Sequence, residues 1–571
     1  MARGAVRDKL SIARLRAARS LRLAVSSWGL LSSSVERLLL VPNDLTVPDP
    51  SFRDEFKAGQ LTLAGVTVEI GRGSPFDITG ADPRWLAEAH GFAWLGHLRA
   101  MGGQESVAIA RRLAGEWIIR NRRPRGLAWR ADILATRTSA WIANAGLLLE
   151  GADPRFFRLV MRSLGAQIRR LDAMRHQSAP GLPRTLVLTA LVQAALVVGA
   201  GDRDIRRLEG ELVVELKRQV LLDGCPISRN PMDALHLLVR LLPLRQCYLD
   251  RKRDVPEALA NSVTASLAFL RRLRLGDGTL ARFNGVGRDP ETALATVLTF
   301  DHSGESPPVG LSPGGYARLE HGNTVIVVDA GRSPALEHAG SMHAGCLSFE
   351  MTFGSNAILR NCGASRFGSP GDLAASRATA SHNTLSLAAR SSARLMRSAL
   401  LEELLGQSPL TGPTNVGASF TAGDDKSTIS ADHDGYEVET GLVHFRELSL
   451  STDGLRLQGV DRLGGRTGVM RLLDDIPFAI HFHLAEGVEV RLDADAQSAT
   501  LWLPATRSQQ EAMPWQLRAS GGRISVEPST DYSHGNGRSA RQIAIRAVCP
   551  GEATVTWTLE AMNRVRRLGS Q

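Results

Sequence analysis

The spacing of apolar residues switches from one period to another near residue 300, so one chain must build two kinds of layer. From about Trp85 to Leu275 the period is helical. Ile109, Leu113 and Trp117 form one stripe, Val160, Leu164, Ile168 and Leu171 a second, Ile205, Leu208, Leu212 and Leu216 a third, and Leu259, Val263, Leu267 and Leu270 a fourth. Each stripe needs a neighbour to bury it. Breakers separate the stripes at Gly151-Ala152-Asp153-Pro154, Gly181-Leu182-Pro183, Gly199-Ala200-Gly201-Asp202 and Asp223-Gly224-Cys225-Pro226. Successive helical hairpins of this kind predict a bundle or a closed helical toroid.

After about residue 315 the period is that of strands. In Leu347-Ser348-Phe349-Glu350-Met351-Thr352-Phe353 the odd positions are apolar and the even ones polar, which predicts a strand with Leu347, Phe349, Met351 and Phe353 on one sheet face. The segments 324–328, 357–359, 442–450, 455–460, 478–484 and 554–559 read alike, with turns such as Ser451-Thr452-Asp453-Gly454 between them. Many short strands predict a layered antiparallel sheet or sandwich. The expected architecture is α+β and multidomain, with a basic segment at 1–60, helices over 61–300 and antiparallel sheets over 301–571.

With 43% hydrophobic and 22% charged residues, the chain of 571 residues is a globular protein and neither a disordered nor a collagen-like one. Lys and Arg outnumber Asp and Glu by 68 to 58, a net charge of +10 that suits an acidic partner. The most apolar run, Leu186 to Val198, is too short to span a bilayer and reads as a buried helix. Leu21 to Leu31 reads as a basic amphipathic helix, and no signal peptide is evident, so the expected location is cytoplasmic by default, with the periplasm as the alternative. The five cysteines are scattered, without metal-binding spacing, and are expected to be buried free thiols. Phosphate-loop, HExxH and GxSxG motifs are absent.

Two histidines frame the informative segment: His343 in Ser341-Met342-His343-Ala344-Gly345, and His382 in Ser381-His382-Asn383-Thr384. Asn361 lies between them, in Ile358-Leu359-Arg360-Asn361-Cys362-Gly363. On neighbouring strands, two imidazoles and an amide oxygen converging at a sheet end would suffice for a divalent metal, zinc or calcium; the alternative is separate histidines bonded within the sheet. His481-Phe482-His483 reads as a solvent-facing histidine pair on one strand.

The segment from Tyr316 to Leu387, with Tyr316-Ala317-Arg318-Leu319, Val327-Val328-Asp329-Ala330-Gly331, His343 to Glu350 and His382-Asn383-Thr384, resembles the sheet domain of the heparinase II/III family. Trp85 to Gly96, Trp129 to Trp141 and Asp223 to Pro231 resemble its helical domain. The resemblance implies an N-terminal (α/α) toroid followed by a C-terminal antiparallel β-sandwich. It implies a carbon–oxygen lyase that cleaves an acidic, uronate-containing polysaccharide by β-elimination; no nucleic acid is expected as partner, since binding one through the basic N-terminus would rest on charge alone. A metal at His343, Asn361 and His382 belongs to the same expectation. At the family's His-x-His-x-Asp motif this chain has Ser341, His343 and Gly345, and at the family's tyrosine it has Asp233.

A uronate lyase must neutralise a carboxylate, remove the proton beside it and protonate the leaving oxygen. Arg184, Arg229 and Asn230 are the candidate carboxylate binders, His343 the candidate base or ligand, and Tyr316, with Tyr248 further off, the candidate proton donor. The alternative implied by the missing residues is a glycan-binding protein that keeps the lyase fold without turnover.

Overall fold

The computed structural model describes residues 35–287, 291–365, 368–398, 401–402, 408–466, 475–505, 513–533 and 537–562. The helix expected at Leu21 to Leu31 lies outside the described residues.

Among the described residues, eight helices of nine or more residues build the first half: α1 (Pro83–Gly91), α2 (Gly103–Arg120), α3 (Ala131–Ala143), α4 (Pro154–Met174), α5 (Leu182–Val198), α6 (Asp202–Gln219), α7 (Pro231–Asp250) and α8 (Glu257–Leu273). The breakers act as the sequence predicts. Asp153 caps α4 by accepting from the backbone N–H of Arg155 and Phe156, with Pro154 as the first helical residue. In α1, α3, α5 and α7 the chain returns repeatedly to an inner row whose members pack on one another, while α2, α4, α6 and α8 cover them from outside. This double row explains the α5 sequence: from Thr185 to Val197 every residue except Leu186 is buried, because α5 has neighbours on all sides.

Gly224 shows how tightly this layer is closed. Its φ is +81°, and a Cβ there would fall 1.9 Å from the Ala265 carbonyl oxygen in α8. Gly224→Ala combines a left-handed backbone penalty of about 1–2 kcal/mol with overpacking worth about 1–3 kcal/mol. The expected loss is at least about 2 kcal/mol, read as a lower midpoint in chemical denaturation; an unchanged midpoint would show that the loop yields freely.

The second half is antiparallel throughout. Strands β1 (Gly310–Leu311), β2 (Tyr316–His321), β3 (Thr324–Asp329), β4 (Phe349–Phe353) and β5 (Asn356–Leu359) form one sheet in that order. Next come β6 (Leu385–Leu387), β7 (Val416–Ala422), β8 (Lys426–His433), β9 (Val443–Ser451), β10 (Arg456–Gly464), β11 (Ile476–His483), β12 (Glu489–Leu492), β13 (Ser498–Trp502), β14 (Pro514–Ser520), β15 (Arg523–Asp531), β16 (Arg538–Cys549) and β17 (Ala553–Ala561). They make an eight-stranded sheet, ordered β7-β8-β9-β10-β17-β14-β13-β12, and a four-stranded one, β15-β16-β11-β6. One aromatic cluster joins these three larger sheets. Trp557 of β17 stacks on Phe349 of β4 at 5.8 Å and meets Phe482 of β11 edge-on at 4.9 Å.

Two strand expectations need correction. Leu347 does not share the strand face expected over 347–353: it precedes β4 with φ +62°, and both faces of β4 are buried. Its polar residues are covered because they have partners. Glu350 accepts from Arg360 Nη1 at 3.1 Å and from the Asn361 backbone N–H at 2.9 Å. Nor do His481 and His483 face solvent. They are buried and stacked 6.0 Å apart; His481 bonds Ser386 and Gln542, and His483 bonds Ser529 and the Ala380 carbonyl. All five cysteines are free and buried, and no described helix is long and apolar enough to cross a membrane.

Candidate functional site

The toroid meets the sheets through the loop before α7, and Arg229 is the centre of that contact. The residue has φ +58°, and its guanidinium donates to Gly314 O (2.9 Å), Gly331 O (2.9 Å) and Asp329 Oδ1 (2.5 Å) while lying 4.7 Å from the Tyr316 ring centroid. Burial alone would pull this group down; the Asp329 carboxylate holds it above its ordinary value. Tyr316 is fully buried. Its hydroxyl donates to Arg229 O at 2.6 Å and accepts from Asn284 Nδ2 at 2.8 Å, and Asn284 Nδ2 also reaches Asp329 Oδ2 at 3.0 Å. Burial pushes the Tyr316 hydroxyl well up, so it keeps its proton. Asn230 is a helix cap: Oδ1 accepts from Met232 N at 3.0 Å, and Nδ2 donates to Asp233 Oδ1 at 3.3 Å. Three of the expected catalytic residues are thus brought together, but their polar atoms serve the junction rather than a cleft.

His343 reaches the same junction, its backbone N–H donating to Asn284 Oδ1 at 3.1 Å. Its ring meets His382 edge to face, with Nδ1 3.1 Å from His382 Nε2. The tautomers follow from the partners. His382 Nδ1 lies 2.8 Å from the Ala378 carbonyl oxygen, which only accepts, so His382 carries its proton on Nδ1 and its Nε2 accepts from His343 Nδ1–H. Both rings are neutral. Burial pulls His382 down to about 4 and His343 well below its ordinary value. His343 Nε2 is left holding a lone pair with no bonded partner among the described residues.

This arrangement does not fit a divalent metal. His382 has spent both nitrogens, His343 has one left, and Asn361 Oδ1 accepts from Asn383 N at 2.9 Å while its Nδ2 donates to Arg282 O at 3.3 Å. Among the described residues there is no group of three or more His, Cys, Asp or Glu placed to hold an ion. The expected ligand set of His343, Asn361 and His382 is therefore corrected to a histidine pair beside a structural asparagine. Gly345 belongs to the pair: a Cβ there would lie 2.6 Å from His382 Cδ2, so the imidazole fills the space a carboxylate side chain would need.

The remaining candidates lie apart. Arg184 pairs with Glu215 at 3.4 Å on the toroid rim, where Gly181 approaches His338 of the sheet domain. Tyr248, at the far end of α7, donates to Glu209 Oε1 at 2.9 Å. Asp233, in the first turn of α7, accepts from Ser228 Oγ at 2.5 Å.

A second buried polar cluster sits where the eight-stranded sheet faces the Asn383 loop. Gly435 N–H donates to His433 Nδ1 (3.0 Å), which places the His433 proton on Nε2, directed at His444 Nδ1 (3.3 Å); His444 Nε2–H then donates to Asp461 Oδ1 (2.7 Å). Asp461 also accepts from Arg446 and from Trp557 Nε1 (2.8 Å), and Arg446 Nη1 ties the sheet to Leu347 O and Asn383 O. The sequence does not single out Asp461, Arg446, His433, His444 and Asn284. Their spacing carries no motif, and the one local signal is Asn284-Gly285, a dipeptide suited to its φ values of +46° and +103°.

Comparison with known proteins agrees with this layout. Residues 304–558 match the family model "Heparinase II/III-like, C-terminal". Heparinase III is similar over 97% of this chain and 91% of its own, with a TM-score of 0.69 at 13% identity. The heparan sulfate lyase HepC from Pedobacter heparinus is similar over 97% of this chain and 89% of its own, with a TM-score of 0.59 at 14% identity. FtsZ-localized protein C of Caulobacter vibrioides is 28% identical over 537 residues, which is 92% of this chain and 90% of that protein. With the helical toroid in front and the sheet domain matched by that family model behind it, this chain has the fold of heparinase III and a heparinase II/III-like C-terminal domain.

Proposed function

We propose that this protein is a binding member of the polysaccharide-lyase-like fold that recognises an acidic glycan and does not carry out β-elimination. One observation carries the reading: Arg229, Asn230, Tyr316 and Asn361 all have their polar atoms committed to the protein itself. Elimination needs a carboxylate neutraliser, a base and a proton donor together. Of the three, His343 Nε2 offers a base alone. The net charge of +10 suits an acidic glycan as ligand.

The test is a panel of acidic polysaccharides, followed by the ultraviolet absorbance of the unsaturated uronate that elimination creates, with and without chelator. The expected result is a flat trace for every glycan, with saturable binding to at least one. A growing signal that disappears in His343→Ala would overturn this in favour of an active lyase, the reading that the open His343 nitrogen favours.

The near full-length similarity to FtsZ-localized protein C supports a further element, that the protein works at the FtsZ-based division assembly. Co-sedimentation with FtsZ filaments from the same organism tests it: retention in the pellet supports recruitment, and none with filaments formed removes it.

A further inference from the structure

The inner helices of the toroid enclose a cavity of about 150 Å³ between α3, α5 and α7. It shares no lining residue with the junction described above. His236 stands exposed at its mouth, Leu186 supplies an apolar wall, and Ser139, Thr189 and Gln193 form a buried polar floor. Arg240 lines the same space, half-buried.

Two features of this lining are unusual. Arg240 makes no hydrogen bond or ion pair with any described residue, although burial disfavours its charge. Asp44 is the carboxylate whose field reaches it, but Asp44 is itself held by Thr46 N at 3.0 Å, Asn144 Nδ2 at 3.0 Å and Arg99 at 3.8 Å. A half-buried guanidinium that lines a cavity and has no contact partner among the described residues has its donors free for an anion. The second feature is Ser139, only 5% exposed, whose hydroxyl has no partner among the described residues. The Thr189 hydroxyl, by contrast, is spent on the Thr185 carbonyl at 2.8 Å, and the Gln193 side chain bonds Cys247.

The geometry points to a site for a small carboxylate, of the size of one acidic sugar, bound by Arg240 and Ser139 in the interior of the toroid. Size sets the upper bound. At about 30 Å³ per water the space equals about five waters, enough for one ring and too little for a chain of them. Charge sets the valence. One cation with Asp44 nearby balances a monoanion better than a phosphate dianion. The Leu186 wall suits the apolar face of a ring, and the Ser139 hydroxyl of the floor suits its polar edge.

The experiment is calorimetric titration of the full chain with sodium D-glucuronate, acetate and inorganic phosphate. Saturable glucuronate binding is expected, with phosphate weaker. Arg240→Gln should weaken glucuronate by about tenfold or more through loss of a charged hydrogen-bond donor, and Arg240→Lys should keep part of it. Ser139→Ala, which only trims a hydroxyl, should weaken it by a smaller factor and remains informative if the Arg240 variants fold poorly. Polysaccharide binding should persist in Arg240→Gln, because the cavity is too small for a chain of sugars, so this site and the glycan reading can fail separately. No saturable glucuronate binding, or equal binding by wild type, Arg240→Gln and Ser139→Ala, would overturn the assignment.

Discussion

Between pH 6.5 and pH 4 the protein is expected to lose stability steeply, taking up several protons as it unfolds. His343, His382, His433, His444, His481 and His483 are all buried and all lowered by burial, as is His90, which is held at about 4. A histidine whose folded value is depressed contributes fully above the unfolded value of about 6.5. That contribution is lost as pH falls toward the folded value, because only the unfolded chain accepts the proton. For His382 the window closes at about 4, and for His483 at about 3. Each such group contributes about 1.4 kcal/mol per pH unit inside its window, so even three acting together give a slope of about 4 kcal/mol per unit. Asp461, lowered by Arg446 and His444 against the effect of burial, adds to the loss only at still lower pH. Glu350, raised by burial, acts in the opposite direction but is one group. Urea midpoints at pH 7.5, 6.5, 5.5 and 4.5 check the slope, and calorimetry in buffers of different ionisation enthalpy counts the protons. A midpoint unchanged from pH 7 to pH 5 would mean that these imidazoles are charged in the folded protein.

The part of the structure written in period and punctuation was legible from the amino-acid sequence. The stripe Val160, Leu164, Ile168 and Leu171 becomes the buried face of α4, and Asp153-Pro154 starts that helix. These features depend on residues within a few positions of one another. What escaped depends on distant partners. Glu350 is polar and alternates as a surface residue would, yet Arg360 and Asn361 complete it and it is buried. Arg229 looks like a carboxylate binder beside a loop until Gly314, Gly331 and Asp329, at least 85 residues further along the chain, take up its donors. His343 and His382 do meet, in loops rather than on the strands expected for them, and periodicity carries no information on tautomer. It is the Ala378 carbonyl that turns a ligand pair into a hydrogen-bonded one.

Arg229→Ala is expected to destabilise the protein by about 3–5 kcal/mol, the range for removing one partner of a buried ion pair. The variant strands the Asp329 carboxylate, 3% exposed, with only Asn284 Nδ2 and the Gly331 N–H to hold it. It also leaves the carbonyls of Gly314 and Gly331 without their donor, and each unsatisfied buried group adds to the loss. Arg229→Lys restores a charge but lacks the fork that reaches Gly314, Gly331 and Asp329 at once, so it should recover only part. The double variant Arg229→Ala with Asp329→Ala separates the pair from its surroundings. If the ion pair dominates, the double variant is less damaged than the sum of the two single ones, because neither charge is then left alone. Additive losses would instead place the cost in the carbonyl contacts. Because these bonds join toroid to sheets, the loss should appear in calorimetry as an unfolding transition that moves down and broadens or splits, the two halves no longer melting together. A wild-type endotherm in Arg229→Ala would show that the coupling lies elsewhere, with the Arg318 bonds to the Arg272 and Arg274 carbonyls as the next contact to remove.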